Sequence, residues 1–307
     1  MIDPEVAALR PLLFSIAYRM LGQVSEAEDV VQEAFLRYQG AVAGGVEVRS
    51  PRAYLAATVT RLSIDQLRKA LVQRRTYAGQ WLPDPLLTEE DGGGPAARAE
   101  VAESVSMAFL LVLERLNPVE RAVFLLHDVF GYEHREVAVI VHKSEAACRQ
   151  IALRARRRVE AARPRLDAAT PRRSEIAERF FAALSRGDLE GLAAVLAEDV
   201  VVYGDGGGKA PQWGAPICGV DRVARLFAGL GGRFPDFGVR VRPHTVNGQP
   251  GALLVDRDGR LICVFALEVS DGAVRAVRSV INPDKLGHLG PVADVRALLH
   301  LPRQAGG

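Results

Sequence analysis

Phe130–Val159 reads FGYEHREVAVIVHKSEAACRQIALRARRRV. Apolar residues recur in it at helical spacing twice, from about Glu133 to Val141 and again after Ser144, with only His142 and Lys143 between. Two helices joined by so short a turn have the form of a helix-turn-helix, whose second helix lies in a DNA major groove. Ser144 stands where a cap for that second helix belongs. The stripe Ala147, Cys148, Ile151, Ala155 and Val159 is expected to face the core. Ser144, Glu145, Arg149, Gln150 and Arg154 then point outward, where they can reach base edges, while Arg156, Arg157 and Arg158 suit phosphates. A plain helical hairpin with a basic tail has the same pattern, so this segment alone leaves both readings open.

Upstream, from Pro4 to about Arg75, helical spacing is interrupted at Gly22, at Gly44-Gly45 and at Ser50-Pro51, which predicts three or four helices. In Ser25–Tyr38, SEAEDVVQEAFLRY, one stripe carries Ala27, Val30, Val31, Ala34 and Tyr38, and the opposite side carries Asp29, Gln32, Glu33 and Arg37. A solvated polar face explains that side by itself. The next helix starts cleanly, with Ser50 as cap and Pro51 at the first position. It gathers Arg61, Arg68, Lys69, Arg74 and Arg75 with little acid beside them, as a surface tracking phosphates does. Trp81–Pro95, WLPDPLLTEEDGGGP, cannot continue a helix and reads as a linker. Helical spacing returns from about Arg98 to Leu166.

After Pro171 the pattern changes to a helix over Ser174–Leu184, a segment Leu189–Leu196, and then alternating stretches at VVVY, FGVRVRP, ALLVDRDGRLICVFALEV and VRAVRSVI. These predict an α+β module with antiparallel strands and a hairpin turn at Gly259. The chain is therefore multidomain, divided as 1–76, a linker 77–100, a second helical module 101–168, the α+β module 172–290 and a tail 291–307. Its 307 residues, 49% hydrophobic and 25% charged, suit two or three compact cores. A net charge of +2 means that nucleic-acid binding must come from local clusters. Cys148, Cys218 and Cys263 have no zinc or disulfide spacing, and the N-terminus lacks the pattern of a signal peptide. No metal, no cofactor, no membrane span and a cytoplasmic location are the expectations. DGGGK at Asp205–Lys209 lacks the spacing of a phosphate loop.

Taken in order, the helical segments resemble the extracytoplasmic-function sigma factors of bacterial RNA polymerase. EDVVQEAFLRY is similar to region 2.2, which docks on core RNA polymerase. PRAYLAATVTRLSIDQLRKA resembles regions 2.3 and 2.4, which melt and read the −10 element, and Leu113–Val159 resembles region 4, which reads the −35 element. The resemblance implies core-polymerase contacts at Asp29, Gln32, Glu33 and Leu36, and −10 contacts at Arg61, Asp65, Arg68 and Lys69. It implies −35 contacts at Ser144, Glu145, Arg149, Gln150, Arg154, Arg156 and Arg157. His142 and Lys143 depart from the glycine and apolar residue usual in that turn. FFAALSRGDLEGLAAVLAEDVVVYGDGGG resembles SnoaL-like members of the NTF2-like cone fold.

WLPDPL, DGGGK and NPDKL together are similar to the marks of the sigma J type, the subgroup with a fused SnoaL-like domain. That implies a built-in regulator in place of a separate anti-sigma factor, with contacts at Trp81, Pro83, Asp205, Gly206, Gly207, Gly208, Lys209, Asn282, Pro283, Asp284 and Lys285. The partners implied are core RNA polymerase and promoter DNA, with catalysis left to the polymerase. Whether the C-terminal pocket takes a small ligand is open. Two other classes stay open at this point. One is a ligand-responsive DNA-binding regulator that works without polymerase. The other is a SnoaL-like enzyme using Asp205, Tyr203, Trp213 or His244, although a lone histidine more often sits on a surface loop.

Overall fold

The computed structural model describes residues 3–74, 76–88, 105–162 and 170–300. Arg75, the glycine-rich end of the linker and the last seven residues of the tail lie outside the described residues. The chain forms two compact units, Met1–Thr76 with Leu110–Arg163 and Tyr77–Phe109 with Pro164–Gly307.

The first unit is helical. α1 (Pro4–Ala7), α2 (Arg10–Leu21), α3 (Val24–Ala43) and α4 (Pro51–Arg74) form one bundle. Gly22 ends α2 in the left-handed conformation, at φ 71°. The Ser50 hydroxyl accepts the Ala53 N–H, as the cap reading requires. Ala27, Val30, Val31 and Ala34 are buried, together with Phe35, which the stripe reading left out; Tyr38 is only half-buried.

In the same unit lie α5 (Met107–Leu113, begun in the other unit), α6 (Pro118–Phe124), a π-helical turn (Leu125–Val129), α7 (His134–Val141) and α8 (Glu145–Ala162). Asn117 and Glu120 form a capping box at the start of α6. His142 adopts φ 54° and closes α7 as a left-handed cap, so it does what a glycine does in such a turn. The Lys143 N–H then donates to the Ala138 carbonyl at 3.0 Å, and the Ser144 hydroxyl accepts the Ala147 N–H at 3.2 Å. The buried stripe of α8 is Cys148, Ala152, Ala155 and Val159. Ala152 takes the place expected for Ala147, and Ile151 is half-buried, because at helical spacing positions 147 and 151 lie on the flank of the stripe that 148, 152, 155 and 159 form.

The second unit is α+β. α9 (Thr170–Arg186) and α10 (Leu189–Ala193) precede β1 (Leu196–Asp205), β2 (Ile217–Cys218), α11 (Val220–Gly231) and α12 (Phe234–Phe237). β3 (Arg240–Val246), β4 (Gln249–Val255), β5 (Leu261–Ser270) and β6 (Ala273–Val280) complete a sheet of order β2-β1-β6-β5-β4-β3. All pairings are antiparallel except β1 with β6, which are parallel because helices and strands intervene between them. The helices pack through Phe180, Phe227 and Phe265, whose rings meet at 5.4 and 5.7 Å. The segment read as a tail is partly structured: Ala293 is buried, its N–H donates to the Leu261 carbonyl at 2.9 Å, and α13 spans Val295–His300.

Candidate functional site

Two surfaces carry the functional reading. The first lies wholly in the second unit, where Tyr77–Thr88 runs along the sheet instead of standing clear of it. Leu82, Pro83, Asp84 and Pro85 are buried. The prolines hold an extended backbone and donate no N–H, so the segment makes side-chain and scattered backbone bonds rather than a full ladder. Its first anchor is Asp205 at the end of β1, fully buried, which accepts from the Tyr77 hydroxyl at 2.6 Å, the Leu82 N–H at 2.8 Å and the Lys285 ammonium at 2.8 Å. Lys285 also donates to the Leu82 carbonyl, and its Nζ sits 4.4 Å from the Trp81 ring centroid and 5.3 Å from that of Tyr77. Asn282 donates to the Tyr77 oxygen at 2.9 Å. Burial, then the hydrogen bond to Asp205, raises the Tyr77 phenol well above its ordinary range.

The second anchor is the Asn247-Gly248 turn between β3 and β4. The Asn247 carboxamide oxygen accepts the Leu86 N–H at 2.9 Å, and its amide donates to the Val105 carbonyl at 3.0 Å. Leu87 pairs with Val246, and the Thr88 N–H donates to the Thr245 carbonyl. The Nε2 of His288 lies 2.8 Å from the Pro85 carbonyl.

The glycine loop fits against this anchor. Gly207 has φ 59°, and a Cβ there would lie 2.2 Å from the Asn282 amide nitrogen; a Cβ on Gly206 would meet the Ala210 carbonyl at 2.4 Å. Gly208, at φ 70°, lies against Ala78. Arg296, from the segment read as a tail, donates to the Gly208 and Lys209 carbonyls. Lys209 does not reach the linker: it pairs with Asp284 at 2.5 Å, with both side chains 58% exposed. Pro283 opens the short 3₁₀ turn Pro283–Lys285, which Asn282 caps and which aims Lys285 inward.

Sequence reasoning missed Tyr77, Asn247, His288 and Arg296. Asn-Gly at 247–248 was a readable hairpin signal, whereas nothing local marks the other three. The four residues considered for an enzyme do not converge. Asp205 is engaged by three donors, Tyr203 lies under the Arg278 guanidinium at 5.6 Å, Trp213 packs on the core, and His244 is exposed on the edge strand β3.

The second surface lies in the helical unit. On α3, Asp29, Gln32 and Leu36 are exposed, and Glu33 is paired with Arg37 at 2.7 Å. Gln32 and Leu36 line a groove of about 240 Å³ with Ala7, Arg10, Phe35 and Gln39. On α4, Arg68 pairs with Asp65 at 3.0 Å, both exposed, and Lys69 is exposed. Arg61 instead donates to the Ile140 and Val139 carbonyls, each at 2.9 Å. On α8, Glu145 and Arg149 pair with each other, Arg156 pairs with Asp128, and Arg158 pairs with Glu120 at 2.7 Å. Gln150, Arg154 and Arg157 are exposed.

Comparison with known proteins matches residues 6–72 to "Sigma-70 region 2", 106–159 to "Sigma-70, region 4" and 177–281 to "SnoaL-like domain". The chain is 40% identical over 290 residues to the ECF RNA polymerase sigma factor SigJ of Mycobacterium tuberculosis, covering 92% of each chain. The chain belongs to the extracytoplasmic-function sigma factors.

This sigma factor also matches the crystal structure of M. tuberculosis SigJ, with a TM-score of 0.72 and 37% identity over 94% of this chain and 99% of that one. It is 31% identical to the probable sigma factor SigI of the same species, over 94% of this chain and 96% of that one. The sigma factor is thus a transcription initiation factor that directs core RNA polymerase to promoters. Its architecture is two helical sigma modules and a fused SnoaL-like domain. No described helix is long and apolar enough to cross a membrane.

Proposed function

We propose that the SnoaL-like domain of this sigma factor is a non-catalytic regulator that acts by holding the linker between the two promoter-reading modules, without a separate anti-sigma factor. The carrying observation is the grip of Asp205 on Tyr77 and Leu82, completed by Lys285. The linker is also the tether between the modules. The stretch 77–105 between the modules can span about 100 Å when fully extended. Docking pins Leu86 and Val105 to the one side chain of Asn247, so the docked tether is not free to extend, and release restores its reach. Trp81, Pro83, Gly206, Gly207, Gly208, Asn282, Pro283 and Lys285 act with Asp205 as the dock, while Lys209 and Asp284 trim its rim.

In the same reading Asp29, Gln32, Glu33 and Leu36 bind core polymerase, Arg61, Asp65, Arg68 and Lys69 meet the −10 element, and Gln150 and Arg154 read the −35 element with Arg149, Ser144 and Glu145 beside them. Arg156 and Arg157 track phosphates. The test is run-off transcription with purified core polymerase, on a promoter recovered by transcribing fragmented genomic DNA with the reconstituted holoenzyme. Asp205→Ala is expected to change the yield of initiation several-fold while the start site stays the same. An unchanged yield with a demonstrably released linker would refute regulation through the dock.

A further inference from the structure

On the face of α8 that turns away from the core stands a side chain that can neither donate nor accept a hydrogen bond. The buried stripe of the helix is Cys148, Ala152, Ala155 and Val159. At about 100° per residue, the direction opposite that stripe falls between Gln150 and Arg157, with Leu153 and Arg154 about 50° to either side. Leu153 is 48% exposed there, and its neighbours on the face, Arg149, Gln150, Arg154 and Arg157, are all exposed. Among the described residues of α8 it is the one large apolar side chain left exposed. What it can do follows from what meets this face.

The floor of a major groove presents hydrogen-bonding groups at every base pair and one apolar group, the C5 methyl of thymine. Gln150 and Arg154 supply the polar half of a reading head, a carboxamide suited to adenine and a guanidinium suited to guanine. Leu153 lies about 4.5 Å along the helix axis from Gln150 and about 1.5 Å from Arg154, so it reaches the same stretch of groove. Pressed on a polar edge or on a phosphate it would strip water from an oxygen or nitrogen and return no bond, which is unfavourable. Pressed on the methyl it removes apolar surface from water on both partners. Cytosine in that place shows an amino group and no methyl.

We propose that Leu153 is a specificity-determining residue for the −35 element, packing on the C5 methyl of a thymine within about two base pairs of those met by Gln150 and Arg154. The proposal rests on the reading of α8 as the −35 recognition helix and adds to it a residue chosen by its exposure and its place between polar readers. It assigns the helix a preference that no arginine or glutamine can supply, thymine over cytosine and thymine over uracil at one position.

The test uses holoenzyme reconstituted from purified core RNA polymerase and the full chain. Its probes are promoter duplexes in which each −35 thymine, on either strand, is replaced in turn by deoxyuridine, which lacks only the methyl. Competition binding gives a thymine-to-uracil affinity ratio at every position. For the parent chain that ratio is expected to reach about fourfold at one position, as burial of a single carbon group provides, and to fall to about 1 there in Leu153→Ala. Leu153→Met, of nearly the same apolar volume, should keep the preference. Each ratio compares two duplexes on one protein, so a partly unfolded variant does not distort it. A parent chain indifferent to deoxyuridine at every −35 thymine overturns the proposal. Leu153→Ala with the parent's ratios overturns it too, and leaves the reading of α8 standing where binding still depends on the −35 element. Equal affinity of the parent for a scrambled −35 element would overturn that reading and the proposal with it.

Discussion

Asp205 and Lys285 lie 80 positions apart in the chain, yet they form a 2.8 Å ion pair with side chains 0% and 5% exposed, and the linker backbone at Leu82 bonds to both. Two buried charges that satisfy one another are costly to separate, because removing one leaves the other uncompensated. Asp205→Ala is therefore expected to destabilise the second unit by about 3–5 kcal/mol, and the double variant with Lys285→Met by less than either single change. Lys209→Ala, at an exposed pair, should cost no more than about 1 kcal/mol. Urea unfolding of the parent and the four variants checks the order; equal costs for Asp205→Ala and Lys209→Ala would refute it.

Gly207 has a backbone that only glycine takes freely, and its neighbour leaves no room for a side chain. Gly207→Ala must push Asn282 away from the Tyr77 hydroxyl, adding steric displacement to a left-handed backbone that costs about 1 kcal/mol or more in alanine. The linker at Tyr77–Thr88 should then become cleavable by protease at concentrations that leave the parent chain intact. Gly259→Ala, with positive φ but open space, should leave the linker protected.

The same dock shows what could be read from the sequence. The helices and the helix-turn-helix follow from local periodicity, and the caps at Ser50 and Ser144 follow from their neighbours. Asp205, Lys209 and Lys285 could all be named from their motifs, but which lysine meets the aspartate is fixed by the pairing of β1 with β6, a contact between distant segments. WLPDPL reads as a linker because prolines exclude helix and ladder. Its burial comes from a sheet surface built more than a hundred residues later, which no local pattern encodes. Arg61 looks like a phosphate contact by composition, and its bonds to two carbonyls of α7 come through tertiary structure that no local pattern encodes.

His134 and His127 stack with ring centroids 3.8 Å apart at the entrance to the helix-turn-helix. Burial, then the charge of His127 and of Arg149, lowers the His134 imidazole below its ordinary 6.5, against smaller opposite effects of Asp128 and Glu145. A base with a lowered folded pKa is protonated first in the unfolded chain, so its share of stability is present above about pH 6.5 and is lost as pH falls below it. Melting temperature should drop more between pH 7.5 and 5 for the parent chain than for His134→Asn. Parallel pH profiles for the two would sink the assignment.

On α8 the arginines divide by their partners. Arg149, Arg156 and Arg158 are held by Glu145, Asp128 and Glu120, whereas Arg154 and Arg157 are exposed and make no ion pair among the described residues. A guanidinium with no ion pair to break loses little on meeting DNA, and its place on the helix decides what it meets. Arg154 lies one turn from Gln150, on the face proposed to enter the groove, so Arg154→Ala should weaken binding to a −35 duplex by about 1–3 kcal/mol and relax preference at one base pair. Arg157 shares that face but stands one turn nearer the helix C-terminus, away from the N-terminal part of a recognition helix that meets base edges, and Arg157→Ala should weaken all duplexes alike, lowering the slope of log affinity against log salt by about 1. Titrations of both variants against the −35 duplex and a scrambled one, across salt, separate the two roles. Equal loss on both duplexes for Arg154→Ala would move it from base reading to the phosphates.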